Sequence, residues 1–257
     1  MANKLVVADA AKSFGGVQAL SGASLTAESG RVRAIIGPNG AGKTTLINII
    51  SCVYPPDSGS VELNGESITN IRPYQAARKG IARTFQNVAL FSGMTVLENI
   101  LLGRNMLMKR GVLACSLFWG PAMREEIEHR RRAEEIIDFL NITDIRNTNV
   151  GALPLGLQKR VELGRALVAE PKVLLLDEPM GGMNLEEKES ICRYVLDVVE
   201  MSDTAVILVE HDMGVVMDIS DDIIVLDQGT KIAAGTPHEV RANPAVIEAY
   251  LGKDHAA

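Results

Sequence analysis

The sequence has few of the features that mark secreted, membrane-spanning or disulfide-stabilised proteins. Its 257 residues include only three cysteines, Cys52, Cys115 and Cys192, which lie far apart and outside any CxxC pair. Neither a disulfide framework nor a zinc site is indicated, and we expect all three to be small buried apolar residues. Aromatic residues make up only 4% of the chain, so its core must be aliphatic.

Long apolar runs and excess positive charge are also missing. The N-terminus lacks the apolar stretch and cleavage site of a signal peptide, which favours a cytoplasmic protein. The uncharged stretch 111–123 is short of the roughly 20 apolar residues that a membrane helix needs, so any contact with a membrane is expected to run through a partner. With 26 Lys+Arg against 32 Asp+Glu and no basic block, nucleic acid is disfavoured as the main ligand.

The sequence does contain an alternation of aliphatic strands and helices. Helices are predicted at 185–201 and 213–218, between short apolar runs typical of strands covered on both faces. Thr95, Asn184 and Thr236 each stand three residues before a glutamate, as helix-capping residues do. This pattern predicts an α/β fold with a parallel sheet. The strand-like runs are 4–7, 31–36, 61–63, 173–176, 205–209 and 223–226.

The segment 88–165 differs from its surroundings because it has no convincing strand and is typical of several helices. Its position between strands of one sheet predicts a helical subdomain inserted into an α/β core. Three consecutive arginines, residues 130–132, fall within it. They are most simply a solvated helix face, with Glu128 and Arg132 paired at i,i+4 spacing.

A glycine-rich loop supplies the strongest chemical signal. Residues 37–44 fit the pattern GxxxxGK[ST], with an apolar strand before them and a helix-compatible run after them. In such a loop backbone N–H groups and the helix N-terminus hold phosphates, Lys43 reaches the β- and γ-phosphates and the Thr44 hydroxyl ligates Mg²⁺. An ordinary glycine turn is the alternative. The expected nucleotide-binding residues are Gly37, Pro38, Asn39, Gly40, Ala41, Gly42, Lys43, Thr44 and Thr45.

Two further strands end in polar residues. Asp177 and Glu178 follow the run 173–176, and His211 follows the run 205–209. The carboxyl ends of parallel strands meet at one sheet edge, where α/β ligands bind. We therefore predict that Asp177 holds Mg²⁺ directly or from its second coordination shell, and that Glu178 is a general base or a polariser of the attacking water. We also predict that His211, neutral or cationic, donates to the γ-phosphate. Solvated strand-end acids and a structural histidine are the alternatives.

The order of these elements resembles the ATP-binding-cassette ATPases over nearly the whole chain. The resemblance implies a P-loop NTPase: a RecA-like core with a mainly parallel sheet, an N-terminal antiparallel β part and an inserted helical subdomain. It implies a single domain, with residues 1–87 and 166–257 in the core and 88–165 in the helical subdomain. Phe14 matches an aromatic that stacks on adenine, the alternative being a plain core residue. Gln86 matches the glutamine linked to Mg²⁺, the attacking water and the membrane partner.

The family's signature, normally Leu-Ser-Gly-Gly-Gln, aligns with residues 153–157 and departs from it at three positions, Pro154, Leu155 and Leu157. The resemblance implies that this segment, through Pro154 and Gly156, faces the γ-phosphate of the opposite subunit. Pro154 removes a hydroxyl and an N–H donor. The hypothesis is that a site completed by this signature holds or hydrolyses ATP less well. The loop 182–184 matches one that touches the other monomer, although Asn184 also serves as a helix cap.

Within this family the chain is similar to importer subunits for branched-chain amino acids. That similarity implies an ATPase with ATP and Mg²⁺, a second ATPase subunit, transmembrane permeases and an extracytoplasmic binding protein. It also implies a place on the inner face of the cell membrane. The alternatives are a weakly hydrolytic partner subunit and a non-transport cassette ATPase. The stretch 111–123, with Phe118 and Trp119, is interpreted as ordinary packing or as a surface for a permease.

Overall fold

The structure, a computed structural model, describes residues 2–86, 88–107 and 121–251. Its strands are β1 Lys4–Phe14, β2 Val17–Glu28, β3 Val32–Ile36, β4 Ser58–Leu63, β5 Glu66–Ser67, β6 Ile81–Arg83, β7 Val173–Asp177, β8 Ala205–Val209, β9 Asp222–Asp227 and β10 Thr230–Gly235. Its α-helices are α1 Lys43–Ile50, α2 Pro73–Lys79, α3 Val96–Leu102, α4 Pro121–Phe139, α5 Leu155–Leu167, α6 Leu185–Met201, α7 Met213–Ile219, α8 Pro237–Arg241 and α9 Pro244–Leu251.

The main sheet places three polar strand ends side by side. Its order is β10-β9-β3-β8-β7-β6, and every neighbouring pair is parallel except β10 with β9. Strands β7 and β8 are buried along their whole length, as expected for strands covered on both faces. Since β3, β8 and β7 are adjacent and parallel, the loops that follow them lie at one edge of the sheet.

A second, antiparallel sheet of order β2-β1-β4-β5 covers the opposite side of α1. Leu46, Ile47 and Ile50 of α1 are buried in one aliphatic cluster together with residues of both sheets. This packing of α1 against both sheets fixes the start of the helix relative to β3. The antiparallel part and the mainly parallel core agree with the predicted fold class.

The segment 88–165 carries α3, α4 and most of α5, and no strand occurs among its described residues. Its helices pack around Ile100, Ile137 and Leu140, which are fully buried in the cluster that also covers one face of β7 and β8. Helix α5 continues two residues past the boundary at 165, and the division into subdomains stays an interpretation. Cys115, Phe118 and Trp119 lie outside the described residues.

The capping residues and the arginine cluster of the sequence are confirmed. Thr95, Asn184 and Thr236 each form a capping box with the glutamate three residues later. Arg132 lies 3.3 Å from Glu128 on the exposed face of α4. Among the residues described, no helix is both long and apolar enough to cross a membrane.

Several expectations need correction. Strands β2, β5, β6 and β10 were not among the strand-like runs of the sequence. Strand β2 is interrupted by Gly22 and polar residues, and β5 and β6 have only two and three residues. Cys52 is buried as expected, whereas Cys192 is only half-buried, 4.0 Å from the Met180 sulfur.

Candidate functional site

The loop between β3 and α1 has the backbone geometry of a phosphate cradle. Gly37, Gly40 and Gly42 all have positive φ, and a side chain at Gly37 would collide with the carbonyl oxygen of Leu226. A Cβ at Gly42 would lie 2.5 Å from the Ala19 oxygen. Glycine is therefore required at both ends of the turn, where the chain passes close to β2 and β9.

Lys43 is folded onto the loop that it closes. Its Nζ donates to the carbonyl oxygens of Gly37 at 2.7 Å and of Pro38 at 3.0 Å. Burial lowers the pKa of the Lys43 ammonium group, while the carboxylates of Glu178 and Asp177 act in the opposite direction. The two acids therefore act on the lysine electrostatically. The ends of β3 and β7 lie at the same edge of the sheet, as the sequence predicts.

Asp177, the last residue of β7, is 4% exposed. Its Oδ2 accepts from Arg83 Nη2 at 2.7 Å, and its backbone N–H donates to the Thr84 hydroxyl at 3.3 Å. A buried carboxylate requires such partners, because desolvation penalises an unpaired charge. The sequence interpretation included Asp177 but not Arg83. Arg83 could have been identified as a basic residue at the end of the strand next to β7.

Glu178 has a left-handed backbone, with φ of 49°. That conformation is unfavourable for a residue with a side chain and persists only where its surroundings hold it. The Glu178 N–H donates to Val209 O at 2.9 Å, and its carbonyl accepts from Lys159 Nζ at 2.8 Å. The peptide groups on both sides of this turn are thus fixed by β8 and by α5. The turn brings the Glu178 carboxylate out of the strand and into contact with Gln86.

Three predicted catalytic residues meet at one carboxylate oxygen. Gln86 Nε2 donates to Glu178 Oε2 at 2.9 Å, and His211 Nδ1 lies 4.0 Å from the same oxygen. His211 is held by Glu210, whose buried Oε2 accepts from the His211 backbone N–H at 3.1 Å. The direct contact between Gln86 and Glu178 was not foreseen. It follows from β6 being the strand next to β7.

The signature segment packs on the loop that follows Glu178. Pro154 is the N-cap residue that precedes α5, and its side chain makes no capping hydrogen bond. Gly156 is buried against the Glu187 carboxylate. Leu155 packs against Gly182, because a Cβ added to Gly182 would lie only 2.9 Å from the Leu155 Cδ2 atom. The segments 154–156 and 182–187 are therefore in contact within one subunit. Asn184 is the cap of α6 and accepts from Glu187 N at 3.0 Å.

Phe14 ends β1 with its ring 41% exposed. The ring makes an edge-on contact with Tyr54, with 5.3 Å between centroids. Its partner strand β2 brings Ala19 against Gly42 of the phosphate loop. Phe14 is thus a surface aromatic rather than a plain core residue, and its stacking on adenine stays a prediction.

The donor set suits Mg²⁺ with a phosphate ligand. The Thr44 side chain is exposed at the start of α1, and Asp177 and Gln86 add a carboxylate and an amide. These are oxygen donors, which Mg²⁺ prefers, and they are too few to replace its waters and phosphate ligands. Asn39 and Gly40 are exposed on the loop and Ala41 is buried, so the open side of the loop faces solvent.

An apolar cavity of about 510 Å³ lies beside this site. It is bounded by the end of α1, by α2 and by residues of the predicted helical subdomain. Arg83 and Phe85, which lead into Gln86, form part of its wall. Its lining therefore includes the residue that holds Asp177.

The site combines a glycine loop before a helix, a lysine folded onto that loop, and two carboxylates at the end of a parallel strand of the same sheet. This combination defines a P-loop nucleoside-triphosphate-binding protein. Residues 20–181 match the protein family described as ABC transporter. Residues 230–256 match the family described as branched-chain amino acid ATP-binding cassette transporter. The chain belongs to the ABC transporter family, as an ATP-binding cassette ATPase.

Relatives of known name agree with this assignment. The chain is 42% identical over 241 residues to the high-affinity branched-chain amino acid transport ATP-binding protein BraF of Pseudomonas aeruginosa, covering 93% of this chain and 94% of that protein. It is 38% identical over 240 residues to LivG of Escherichia coli, which has the same descriptive name, covering 93% and 94%.

Solved structures share the fold. An ATP-binding cassette of an ABC transporter in its ADP conformation has a TM-score of 0.84 at 35% identity, covering 97% of this chain and 99% of that chain. A nucleotide-free cassette has a TM-score of 0.83 at 34% identity, covering 96% and 98%. A dimeric bacterial cassette has a TM-score of 0.77 at 26% identity, covering 91% and 98%.

Proposed function

We propose that this chain hydrolyses MgATP to drive the import of branched-chain amino acids or related small solutes, as one of two ATPase subunits bound to membrane permeases. The observation that carries the proposal is the meeting of Gln86 and His211 at the Glu178 carboxylate, which acts electrostatically on Lys43. The names of the relatives, which are branched-chain amino acid transport ATP-binding proteins, support the class of solute.

Each residue has a role that its surroundings favour. The loop 37–42 and Lys43 bind the phosphates, and the Phe14 ring stacks on the adenine. Glu178 accepts a proton from the attacking water. Gln86, which donates to Glu178 Oε2, orients that water next to the same carboxylate oxygen. His211 donates to the γ-phosphate from its exposed position. Pro154 and Gly156 face the nucleotide of the other subunit.

Mg²⁺ would be held by Thr44, Asp177 and Gln86, and it supplies charge stabilisation on the transferred phosphoryl group. Asp177 is well suited to this role because Arg83 occupies only one of its oxygens. Among the described residues no hydrogen bond reaches the other. The buried end of β7 holds that carboxylate in a fixed place.

Two observations support the proposed partners. A second ATPase subunit is supported by the dimeric cassette of similar fold. The apolar cavity beside Arg83 and Phe85 suits an apolar segment of a permease, because its wall leads directly to Gln86. Binding there would keep the chain on the inner face of the membrane, with an extracytoplasmic binding protein delivering the solute.

The substitution Glu178→Gln tests the proposal. It removes the base but keeps the side-chain size, so we expect ATP binding to persist while turnover falls by about 100-fold or more. ATP-bound dimers should then accumulate, as measured by size-exclusion chromatography with and without ATP. Glu186→Gln, in the exposed first turn of α6, is the matched control and should leave turnover unchanged.

Undiminished hydrolysis in the Glu178→Gln variant would refute the assignment of the base. The class of solute has a separate test. Co-purification of the permeases and the binding protein, followed by calorimetry of that protein with leucine, isoleucine and valine, should show binding. Absence of binding to all three would remove branched-chain amino acids from the proposal.

A further inference from the structure

Arg83 is the last residue of β6 and reaches across to the end of β7. Its guanidinium Nη2 donates to Asp177 Oδ2 at 2.7 Å, and the two side chains are only 11% and 5% exposed. The register of the two parallel strands, which pairs Arg83 with Leu175, places the arginine within reach of the acid two residues further on. This ion pair is therefore shielded from solvent.

The same guanidinium is held from two other directions. Its Nη1 donates to Asn48 Oδ1 at 2.6 Å and to Ser51 Oγ at 3.3 Å, at the end of the helix that begins with Lys43. The ring of Phe85 lies 5.2 Å from its central carbon. A planar guanidinium meets all these partners at once, which a lysine ammonium does not. Arg83 thus joins the acid of β7 to the phosphate-loop helix.

We propose that Arg83 is a positioning residue for ATP hydrolysis. It holds Asp177 by Oδ2 so that Oδ1 faces the Mg²⁺ site in a fixed orientation. The inference rests on the proposed role of Asp177. Groups that orient a metal ligand without touching the metal typically change metal affinity or activity by 10- to 100-fold when they are removed.

A second ion pair provides a matched control for the loss of an arginine. Arg33 Nη2 lies 2.9 Å from Asp222 Oδ2, with side chains 23% and 25% exposed. Like Arg83, Arg33 lies on a strand of the main sheet and pairs with an aspartate of the adjacent parallel strand. That aspartate is the first residue of β9, at the opposite end of the sheet from the phosphate loop.

The test compares Arg83→Met, Arg83→Lys and Arg33→Met in the full chain. Binding of a fluorescent ATP analogue is measured in EDTA and in Mg²⁺, and the half-saturating Mg²⁺ concentration is measured for hydrolysis. For Arg83→Met we expect binding in EDTA within about 2-fold of the wild type and a half-saturating Mg²⁺ concentration about 10-fold higher. Arg83→Lys should recover part of this loss, and Arg33→Met should match the wild type.

An unchanged Mg²⁺ requirement in folded Arg83→Met, or an equal loss of binding with and without Mg²⁺, would overturn the inference. If Arg83→Met does not fold, as judged by thermal unfolding, Arg83→Lys alone decides by the same two criteria. Failure of the proposed function would appear differently. In that case the wild type itself would show no Mg²⁺-dependent hydrolysis.

Discussion

At the scale of single residues, a buried carboxylate holds the loop that carries Gln86. Glu162 of α5 is 3% exposed, and its Oε1 accepts from Phe85 N at 3.2 Å and from Ala89 N at 3.5 Å. It therefore holds both sides of the loop that carries Gln86. Burial raises the pKa of Glu162, and its bonds to the two N–H groups oppose that shift only in part.

This raised pKa predicts a pH-dependent stability. Because the pKa of Glu162 is raised on folding, its contribution to stability is present below its ordinary pKa of 4.5 and is lost as pH rises through the raised value. Glu162→Gln keeps the acceptor without the charge. Its free energy of unfolding should rise relative to the wild type over that interval and then level off, as measured by urea unfolding between pH 4 and 8.

Glu98→Gln is a control of opposite sign. Bonds from Thr95 lower the pKa of Glu98, so its contribution is present above 4.5 and is lost as pH falls. This variant should lose stability relative to the wild type as pH rises from the lowered pKa to 4.5, so its urea unfolding is measured over a pH range that extends well below 4.5. The same pH trend in both variants would contradict the assignment of charge state.

At the scale of secondary-structure elements, caps and strand order decide what reaches the site. Asn184 accepts from Glu187 N, and the Glu187 carboxylate accepts from Asn184 N and lies against Gly156. One capping box thus serves both the start of α6 and the start of the signature helix α5. The strand order β8-β7-β6 brings the candidate catalytic residues together, because it places the strand ends that lead to His211, Glu178 and Gln86 next to each other.

The cap predicts a graded loss of stability. Asn184→Ala removes the side-chain acceptor and should cost about 1 kcal/mol in the free energy of unfolding, whereas Asn184→Ser should cost less. Denaturant unfolding of the isolated chain measures both. If Asn184→Ser, with its helix intact, still loses ATP turnover in the dimer, then Asn184 contributes to the subunit contact as well as to the helix.

At the scale of the whole molecule, we propose that one chain carries halves of two different nucleotide sites. In this proposal the loop 37–44 binds ATP in its own subunit, and the segment 154–156 completes the site of the partner. Pro154 offers no hydroxyl and no N–H at the start of α5. A site completed by this segment is left with fewer donors than one completed by an unmodified signature.

Restoring the donor tests this proposal. Pro154→Ser adds a hydroxyl and an N–H, and one hydrogen bond to a phosphate strengthens ATP binding by about 10-fold or more. ATP turnover and ATP affinity of the assembled transporter should therefore increase. Pro154→Ala, which restores only the N–H, should give a smaller gain. Unchanged turnover and affinity in Pro154→Ser would refute the proposal.

The sequence by itself determined the parts of the site that are contiguous in the chain. The phosphate loop, the acids at the end of β7, the capping boxes and the α/β alternation all depend on neighbouring residues, whose spacing is visible in the chain. Tertiary structure decided the rest: the bond of Gln86 to Glu178, the hold of Arg83 on Asp177, and that of Lys159 on the Glu178 carbonyl. These contacts join residues 19 to 94 positions apart. They exist because strand order and burial bring distant segments together, which no local pattern encodes.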